Sequence, residues 1–507
     1  MGLIEKFLHT LAAPKWGVHP DDHKRPAADA PLRHLPLPAR LFIPLQQHVG
    51  QPARPIVLVG QKVLKGQLIA EAQGRISAPV HASTSGTVSA IGEITAPHPS
   101  GLPFMAITLD ADGDDRAIEA DVPGDPFSLA PEAIAERVAA AGVVGLGGAT
   151  FPSSAKLALG KRSNVTTLIV NGGECEPYLS CDDRIMRDHA ADVVDGVRLM
   201  MHAIGAREAL VGIEDNKPEA IAAMRRAAGD FPEVQVRPVP ARYPMGSDRQ
   251  LIETLTGKEV PSDCRAADVG VIVHNVSTAN AVHRAIRLGE PLIRRIVTLN
   301  GGAVWQPGNI LVPVGALVSD LLDFAGLKSE PATLLMGGPM MGAVLPHARV
   351  PIVKGTAGIL AFNESEILAP EAGPCIRCGN CTQVCPIGLL PLEMAANIRL
   401  DKLNEAADLG LSDCISCGCC AYTCPSHIPL VQYFTHAKGE LWARERSKLR
   451  MDATKKLAAE RTARLEREAR EKAETAARRK AEREAAKRAE ATARAAADTE
   501  TTTEITT

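Results

Sequence analysis

No stretch of this chain approaches the roughly 18 uninterrupted apolar residues that a membrane span needs, so no segment is expected to cross a bilayer. The opening "MGLIEKFLHTLAAP" lacks a basic start and a long apolar run, which argues against a secretory signal. Outside two dense runs cysteine is sparse: Cys175, Cys181 and Cys264 lie scattered, as expected of a reducing cytosol. Beyond Gly439 there is neither glycine nor proline, and beyond Trp442 no aromatic side chain. Such a tail has little with which to build a core of its own. No catalytic triad stands out, and no catalytic acid or nucleophile is expected.

What is present points elsewhere. A chain of 507 residues is long enough for about three domains. Its 45% hydrophobic and 23% charged residues are ordinary for a globular protein. The net charge of −3 hides an asymmetry, because the tail from residue 441 carries 18 Lys+Arg against 13 Asp+Glu and leaves −8 on residues 1–440. The tail is Ala, Glu, Lys and Arg with i,i+4 pairs such as Glu460–Arg464, Glu466–Arg470 and Glu484–Arg488. It reads as a solvated helix or a disordered appendage, with "TETTTEITT" disordered, and its alternating signs argue against nucleic acid. Near the start, Leu3, Ile4, Phe7, Leu8 and Leu11 share one helical face. That face either packs on the protein or docks to a membrane partner.

The two cysteine runs carry the chemistry. "CIRCGNCTQVCP" holds Cys375, Cys378, Cys381 and Cys385, and "CISCGCCAYTCP" holds Cys414, Cys417, Cys419, Cys420 and Cys424. Two copies of C-x2-C-x2-C-x3-C-P form the two-cluster bacterial ferredoxin pattern, in which the fourth cysteine of each run serves the other cluster. One 4Fe–4S cluster is therefore assigned to Cys375, Cys378, Cys381 and Cys424, and a second to Cys414, Cys417, Cys420 and Cys385. Cys419 is spare. Zinc hooks pair two short C-x-C-type turns across a longer gap, and disulfides suit short secreted chains; neither matches this spacing.

Residues 57–93 alternate apolar and polar positions between glycine turns. They resemble the lipoyl/biotinyl barrel-sandwich, through Gly60, Lys65-Gly66-Gln67, the Glu71-Ala72 pair and "SAPVHASTSGTV". Carriers of that type place a lysine at the hairpin tip, whereas this tip reads Gln73-Gly74-Arg75. Swinging-arm chemistry is thereby excluded, and the module reads as structural.

From 125 to 300, helical runs (131–142, 184–205, 217–229, 277–289) alternate with short β-branched runs (165–170, 208–213, 234–239, 268–273). This order implies parallel α/β layering with a ligand at the strand carboxyl ends. Three loops stand out: "GVVGLGGATFPSSAKL" (142–157), "NGGECEPYLSCDDR" (171–184) and "VHNVSTANAV" (273–282). Glycines at 145, 147 and 148 let backbone N–H groups approach a phosphate or a flat ring, and Lys156 adds positive charge.

The first loop resembles the flavin loop of the NADH-binding subunit of respiratory complex I. "NGGECEPYLSCDD", "YPMGSDRQLIETLTG" (243–257) and "VHNVSTANAV" resemble further motifs of that subunit. The order of motifs is closer still to the C-subunit family of Rnf (Rsx) NADH:ferredoxin electron-transport complexes. "GVHPDDHK" (17–24), "LPLPARLFIPLQQHVGQPARP" (35–55), "MGGPMMG" (336–342) and "CPSHIPLVQYF" (424–434) look like its signatures. The resemblance covers about residues 15–440. It implies FMN held by Gly145, Gly147, Gly148, Lys156, Asn171, Glu174, Asn275 and Thr278, with the nicotinamide cofactor near Phe151, Glu176 and Tyr243. For Phe151 and Tyr243, core packing is the alternative. Leu146, Gly173 and Ser247-Asp248 depart from the complex I pattern.

The expected architecture is multidomain α/β: a segment 1–34, an unmodified barrel-sandwich over 35–120 and a parallel α/β FMN/NADH domain over 121–293. A small β-grasp domain follows over 294–362, then an α-helical two-cluster ferredoxin domain over 363–440 and the tail 441–507. The resemblance implies NADH as substrate, two 4Fe–4S clusters and FMN. Its implied partners are membrane and iron–sulfur subunits of one complex, with ferredoxin or flavodoxin reached indirectly and no nucleic acid. The implied place is the cytoplasmic side of the cell inner membrane, in a peripheral position. A soluble flavin/iron–sulfur cobalamin reductase and a non-enzymatic cluster-bearing adaptor are the alternatives.

Overall fold

The structure is a computed structural model that describes residues 16–159, 164–367 and 371–503. The apolar face at residues 3–11 and the last four residues lie outside them. The chain divides into two units, Met1–Phe434 and Thr435–Thr507.

Two antiparallel sheets form the N-terminal module. One has the order Lys62–Val63, Gly86–Thr95, Pro103–Ala111, Arg40–Pro44; the other joins Arg54–Pro55, Leu68–Glu71 and Val80–His81. Alternation along these strands turns Leu41, Ile43, Val63, Ile69, Val88, Ile107 and Leu109 inward, each no more than 4% exposed. That core does not end at the module. Val297, Leu299, Ile310, Val312 and Leu321, from the region read as β-grasp, belong to the same cluster. The first four come from a six-stranded sheet whose order is Arg33–His34, Gly308–Pro313, Arg294–Asn300, Gly358–Phe362, Thr333–Met336, Ala343–Val344, and Leu321 from the helix Val318–Ala325. Lys354 links three modules: its buried Nζ donates to the carbonyls of Pro79 (2.9 Å) and Gly142 (2.7 Å). Burial pushes its pKa down to about 7.

The central domain is a four-stranded parallel sheet in the order Val234–Val239, Glu208–Glu214, Thr167–Gly172, Val271–Asn275. Numbered along the chain this is 3-2-1-4. The direction of winding reverses between 167–172 and 271–275, and a doubly wound sheet binds its ligand at such a crevice. Helices Pro131–Ala140, Ala190–Ile204 and Val276–Arg287 contribute to the core on one face, and Asp248–Thr256 to that on the other. Pro131 opens its helix, where its missing N–H costs nothing. The helix expected over 184–205 is instead two, Cys181–Asp188 and Ala190–Ile204, parted at His189. The first piece is tied to the N-terminal segment, where the Arg184 guanidinium donates to the carbonyls of Ala28 and Ala30 (2.8 Å each).

Helix 190–204 meets helix 276–287 at Gly196, where an added Cβ would lie 1.9 Å from the Ala279 carbonyl oxygen. Gly196→Ala is therefore expected to destabilise the domain by about 1–3 kcal/mol, the usual cost of overpacking. Gly439, with open space around it, is expected to gain about 0.5–1 kcal/mol of helix stability from the same change. Thermal unfolding of the two variants, followed by circular dichroism, should shift in opposite directions.

The cysteine-rich region is a pair of short helices, Asn380–Gln383 and Cys419–Tyr422, with Pro391–Arg399 and Leu403–Asp408 between them. A helix spans Leu430–Thr503. It carries Leu449, Met451, Leu457 and Leu465 at least half exposed. Residues 499–503, read from sequence as disordered, are helical, in continuity with the alanine-rich, charge-paired stretch before them. No helix among the described residues is long and apolar enough to cross a membrane.

Candidate functional site

The glycine loop lies across the crevice. Gly145 donates its N–H to the Phe151 carbonyl (2.8 Å), closing the loop on itself. Leu146 donates its N–H to Thr278 Oγ1 (2.9 Å), and its side chain is buried in the domain core. Gly147 lies close to the opposite wall, where an added Cβ would sit 3.2 Å from that of Asn275. Gly147, Gly148 and Ala149 stand exposed, and Gly148 takes a φ of 107° that side chains resist. Phe151 is half-buried.

Lys156 reaches the end of the 271–275 strand, where its Nζ donates to the Val273 carbonyl at 3.1 Å. Burial lowers its pKa and the charge of Asp248 opposes that. Beside it, burial pushes His274 down to about 3, with Lys156 adding to the effect, so this imidazole is neutral. Its Nε2 is buried without a hydrogen-bond partner.

On the facing strand, Asn171 donates to the Gly246 carbonyl (2.8 Å) and accepts from the Gly173 N–H (2.9 Å). Gly173 and Gly246 nest: a Cβ on Gly246 would lie 2.5 Å from the Gly173 carbonyl oxygen. Glu174 is buried, and its carboxyl accepts the N–H groups of Asp182 (2.8 Å) and Asp183 (3.4 Å) at the start of helix 181–188. Burial raises its pKa to about 7 against the pull of Lys24. Asn275 caps helix 276–287 through the Ser277 N–H (2.8 Å) and donates to Asp182 (2.7 Å), which also accepts from the Ser277 hydroxyl. Asp182 thus ties the two walls of the crevice together. It belongs to the 171–184 loop motif, yet nothing in the spacing marks it out from Asp183.

The two other residues assigned to the nicotinamide make contacts of their own within the protein. Glu176 accepts the N–H groups of Met340 (3.1 Å) and Met341 (2.9 Å), so its carboxylate holds the "MGGPMMG" turn. Tyr243 is 2% exposed and its hydroxyl donates to the Cys417 carbonyl (2.5 Å). Core packing is the role the structure supports for Tyr243, because the phenol fills the seam between the crevice and the cysteine loop. Gln250 crosses the same seam to the Pro386 carbonyl (3.0 Å).

The cysteines form two sets. Cys375, Cys378, Cys381 and Cys424 line one cavity. Cys385, Cys414, Cys417 and Cys420 line another, which Cys419 also borders. The first set is the more open, with Cys375 and Cys378 exposed, while Cys417 and Cys420 are buried. The two runs repeat in backbone as in sequence. Arg377 and Ser416 share a φ of 55°, and Gly379 (80°) and Gly418 (85°) cap the two short helices. That repeat superposes Cys420 on Cys381 and Cys419 on Asn380. Cys419 is fully buried and packs with Cys417 and Tyr243, its thiol donating to the Tyr243 carbonyl. Among the described residues no three metal-ligating side chains converge on a single ion. Four thiols spread around a wider cavity fit an iron–sulfur cubane rather than zinc.

The exposed glycine N–H groups, the strand-end lysine and the unpartnered His274 nitrogen likewise fit a phosphate-bearing flavin. Comparison with known proteins agrees with both fits. Residues 13–114 match the RnfC barrel sandwich hybrid domain, 138–284 the Nuo51 FMN-binding domain, 296–344 the SLBB domain and 374–428 the 4Fe-4S dicluster domain. The chain is 50% identical over 436 residues to the C-subunit of the ion-translocating oxidoreductase complex of Rhodobacter capsulatus, covering 85% of this chain and 84% of that one. It is 48% identical to the protein of the same name from Pseudomonas aeruginosa, covering 86% of this chain and 56% of the relative. Among solved structures, an NAD+-reducing [NiFe]-hydrogenase in the H2-reduced state aligns at a TM-score of 0.45 and 19% identity, over 64% of this chain and 67% of that one. Half-identity along most of both chains leaves one conclusion: this chain belongs to the RnfC family, the C-subunits of ion-translocating oxidoreductase complexes.

Proposed function

We propose that this subunit oxidises NADH and passes the electrons through FMN to two 4Fe–4S clusters, and on to the other subunits of a membrane-bound complex. The observation that carries the reading is the seam at Tyr243, where the flavin-type crevice and the buried four-cysteine set share one packed junction. Bound FMN would supply the conversion of a two-electron hydride donor into a one-electron source, which a cluster partner requires.

The chain's own groups would then act as follows. Gly145, Gly147 and Gly148 present the loop, and Lys156 places positive charge at the strand end. Thr278 holds that loop through Leu146, while Asn171, Glu174 and Asn275 shape the crevice wall. Phe151 remains the residue for the nicotinamide ring. Cys385, Cys414, Cys417 and Cys420 would hold the cluster nearer the flavin, and Cys375, Cys378, Cys381 and Cys424 the outer one. Exposure of the outer set favours it as the exit toward partner subunits, with ferredoxin or flavodoxin further along. A peripheral position on the cytoplasmic side of the inner membrane follows from the reading.

The isolated chain, reconstituted anaerobically with FMN and iron–sulfur clusters, is expected to reduce a one-electron dye with NADH. A loaded chain that leaves the dye oxidised would overturn the proposal. It would favour a cluster-bearing adaptor, to which the self-satisfied Asp182–Asn275–Ser277 contacts also lend themselves.

A further inference from the structure

The stretch "GVHPDDHK", residues 17–24, has no part in that electron path. In the fold it straps the crevice to the cysteine loop. Gly17 donates its N–H to the Val384 carbonyl (2.9 Å), next to Cys385, and Val18 exchanges two backbone bonds with Tyr243 (2.9 and 3.0 Å). Further along, the Tyr178 N–H donates to the Asp22 carbonyl (2.7 Å), and the His23 and Tyr178 rings stack at 4.8 Å.

Lys24 then enters the loop that follows the 167–172 strand. Its side chain is buried, and Nζ donates to the carbonyls of Glu174 (2.8 Å), Glu176 (2.9 Å) and Leu179. An ammonium has three donors and no acceptor, and here all three are spent on one loop. Residues 173–180 form neither helix nor strand, so their inward carbonyls need a partner from outside. The partner comes 150 residues earlier in the chain. What the loop carries matters to the crevice. Glu174 holds the Asp182 N–H, Asp182 holds Asn275, and Asn275 caps the helix on the opposite wall.

We propose that Lys24 is a positioning residue for the crevice, gathering three carbonyls of loop 173–180 so that Glu174, Asp182 and Asn275 are held in the arrangement that receives the flavin. The inference rests on the reading of the crevice as a flavin site. Its charge also opposes the burial of Glu174. Arginine is no substitute, because a planar guanidinium fork cannot converge on three carbonyls as a compact ammonium does.

The test uses the full chain with its clusters intact. FMN is titrated into the parent, Lys24→Met and Lys24→Arg chains by flavin fluorescence, alongside amide hydrogen exchange. Lys24→Met is expected to weaken FMN binding about tenfold or more, the scale of a lost charge-assisted bond. Exchange should quicken over residues 173–182 and stay unchanged over strand 208–214, and Lys24→Arg should restore FMN binding only in part. If Lys24→Met does not accumulate as folded chain, Lys24→Arg against the parent decides in the same way. A parent that binds FMN beside a folded variant within about twofold, with unchanged exchange over 173–182, sinks this proposal alone. A parent that binds no FMN sinks the flavin reading and this proposal with it.

Discussion

The Cys420→Ala chain, purified anaerobically, is expected to hold about four irons against about eight in the parent, while Cys419→Ala keeps about eight. The two cysteines are adjacent, and their neighbours separate them. Cys420 occupies the position that Cys381 holds in the first run, one residue into a short helix capped by a left-handed glycine. Cys419 occupies the position of Asn380, and its thiol faces the Tyr243 carbonyl oxygen at 3.9 Å. Removing Cys420 takes one of four thiolates from the buried set, and a cubane with three protein ligands is readily lost. Removing Cys419 takes away a small packed side chain and one weak S–H donor. Cys419 packs in one cluster with Cys417 and Tyr243, so the Cys419→Ala chain should retain its iron but shift the midpoint potential of one cluster. Iron analysis and low-temperature electron paramagnetic resonance check both parts. The reverse iron counts would put the ligand register one residue out.

Lys156→Ala is expected to lower FMN affinity by roughly tenfold to a hundredfold and leave iron content unchanged. A charge-assisted hydrogen bond contributes about 1.5–3 kcal/mol, and each 1.4 kcal/mol or so is a factor of ten in affinity. The variant also leaves Asp248 without the cation that opposes it, which adds repulsion toward a phosphate. Burial lowers the pKa of Lys156. In the folded chain the side chain therefore gives up its proton below the ordinary lysine range, and its attraction for an anion fades as pH rises through that lowered value. FMN affinity of the parent should fall on this alkaline limb, and the Lys156→Ala chain should lack the limb. Equal FMN occupancy of variant and parent at neutral pH would refute the role given to Lys156.

Much of this protein was legible in the order of its residues. The family resemblance read from the motifs is borne out, as are the barrel-sandwich, the flavin-type α/β domain and the 4Fe–4S domain. These features are local. A C-x2-C-x2-C spacing wraps a cubane within a few residues, alternation with period two makes a strand, and a glycine cluster after a helix leaves backbone N–H groups bare. Each signal needs only the chain's own geometry over a dozen residues, so the sequence carries it.

Other features were decided only by the packed structure. Tyr243 and Glu176 sit in motifs that suggested cofactor contact, yet one fills the seam against Cys417 and the other holds the turn at 340–341. The run 184–205 is parted at His189, and its first piece is tied through Arg184 to carbonyls of the N-terminal segment. Residues 35–120 and 294–362 share a core although the flavin domain separates them in sequence. Lys24 could not be told from any exposed lysine until three carbonyls of a distant loop closed around it. A buried polar group takes whichever partner the fold brings within about 3 Å, and proximity between groups far apart in sequence is set by the packing of every module between them.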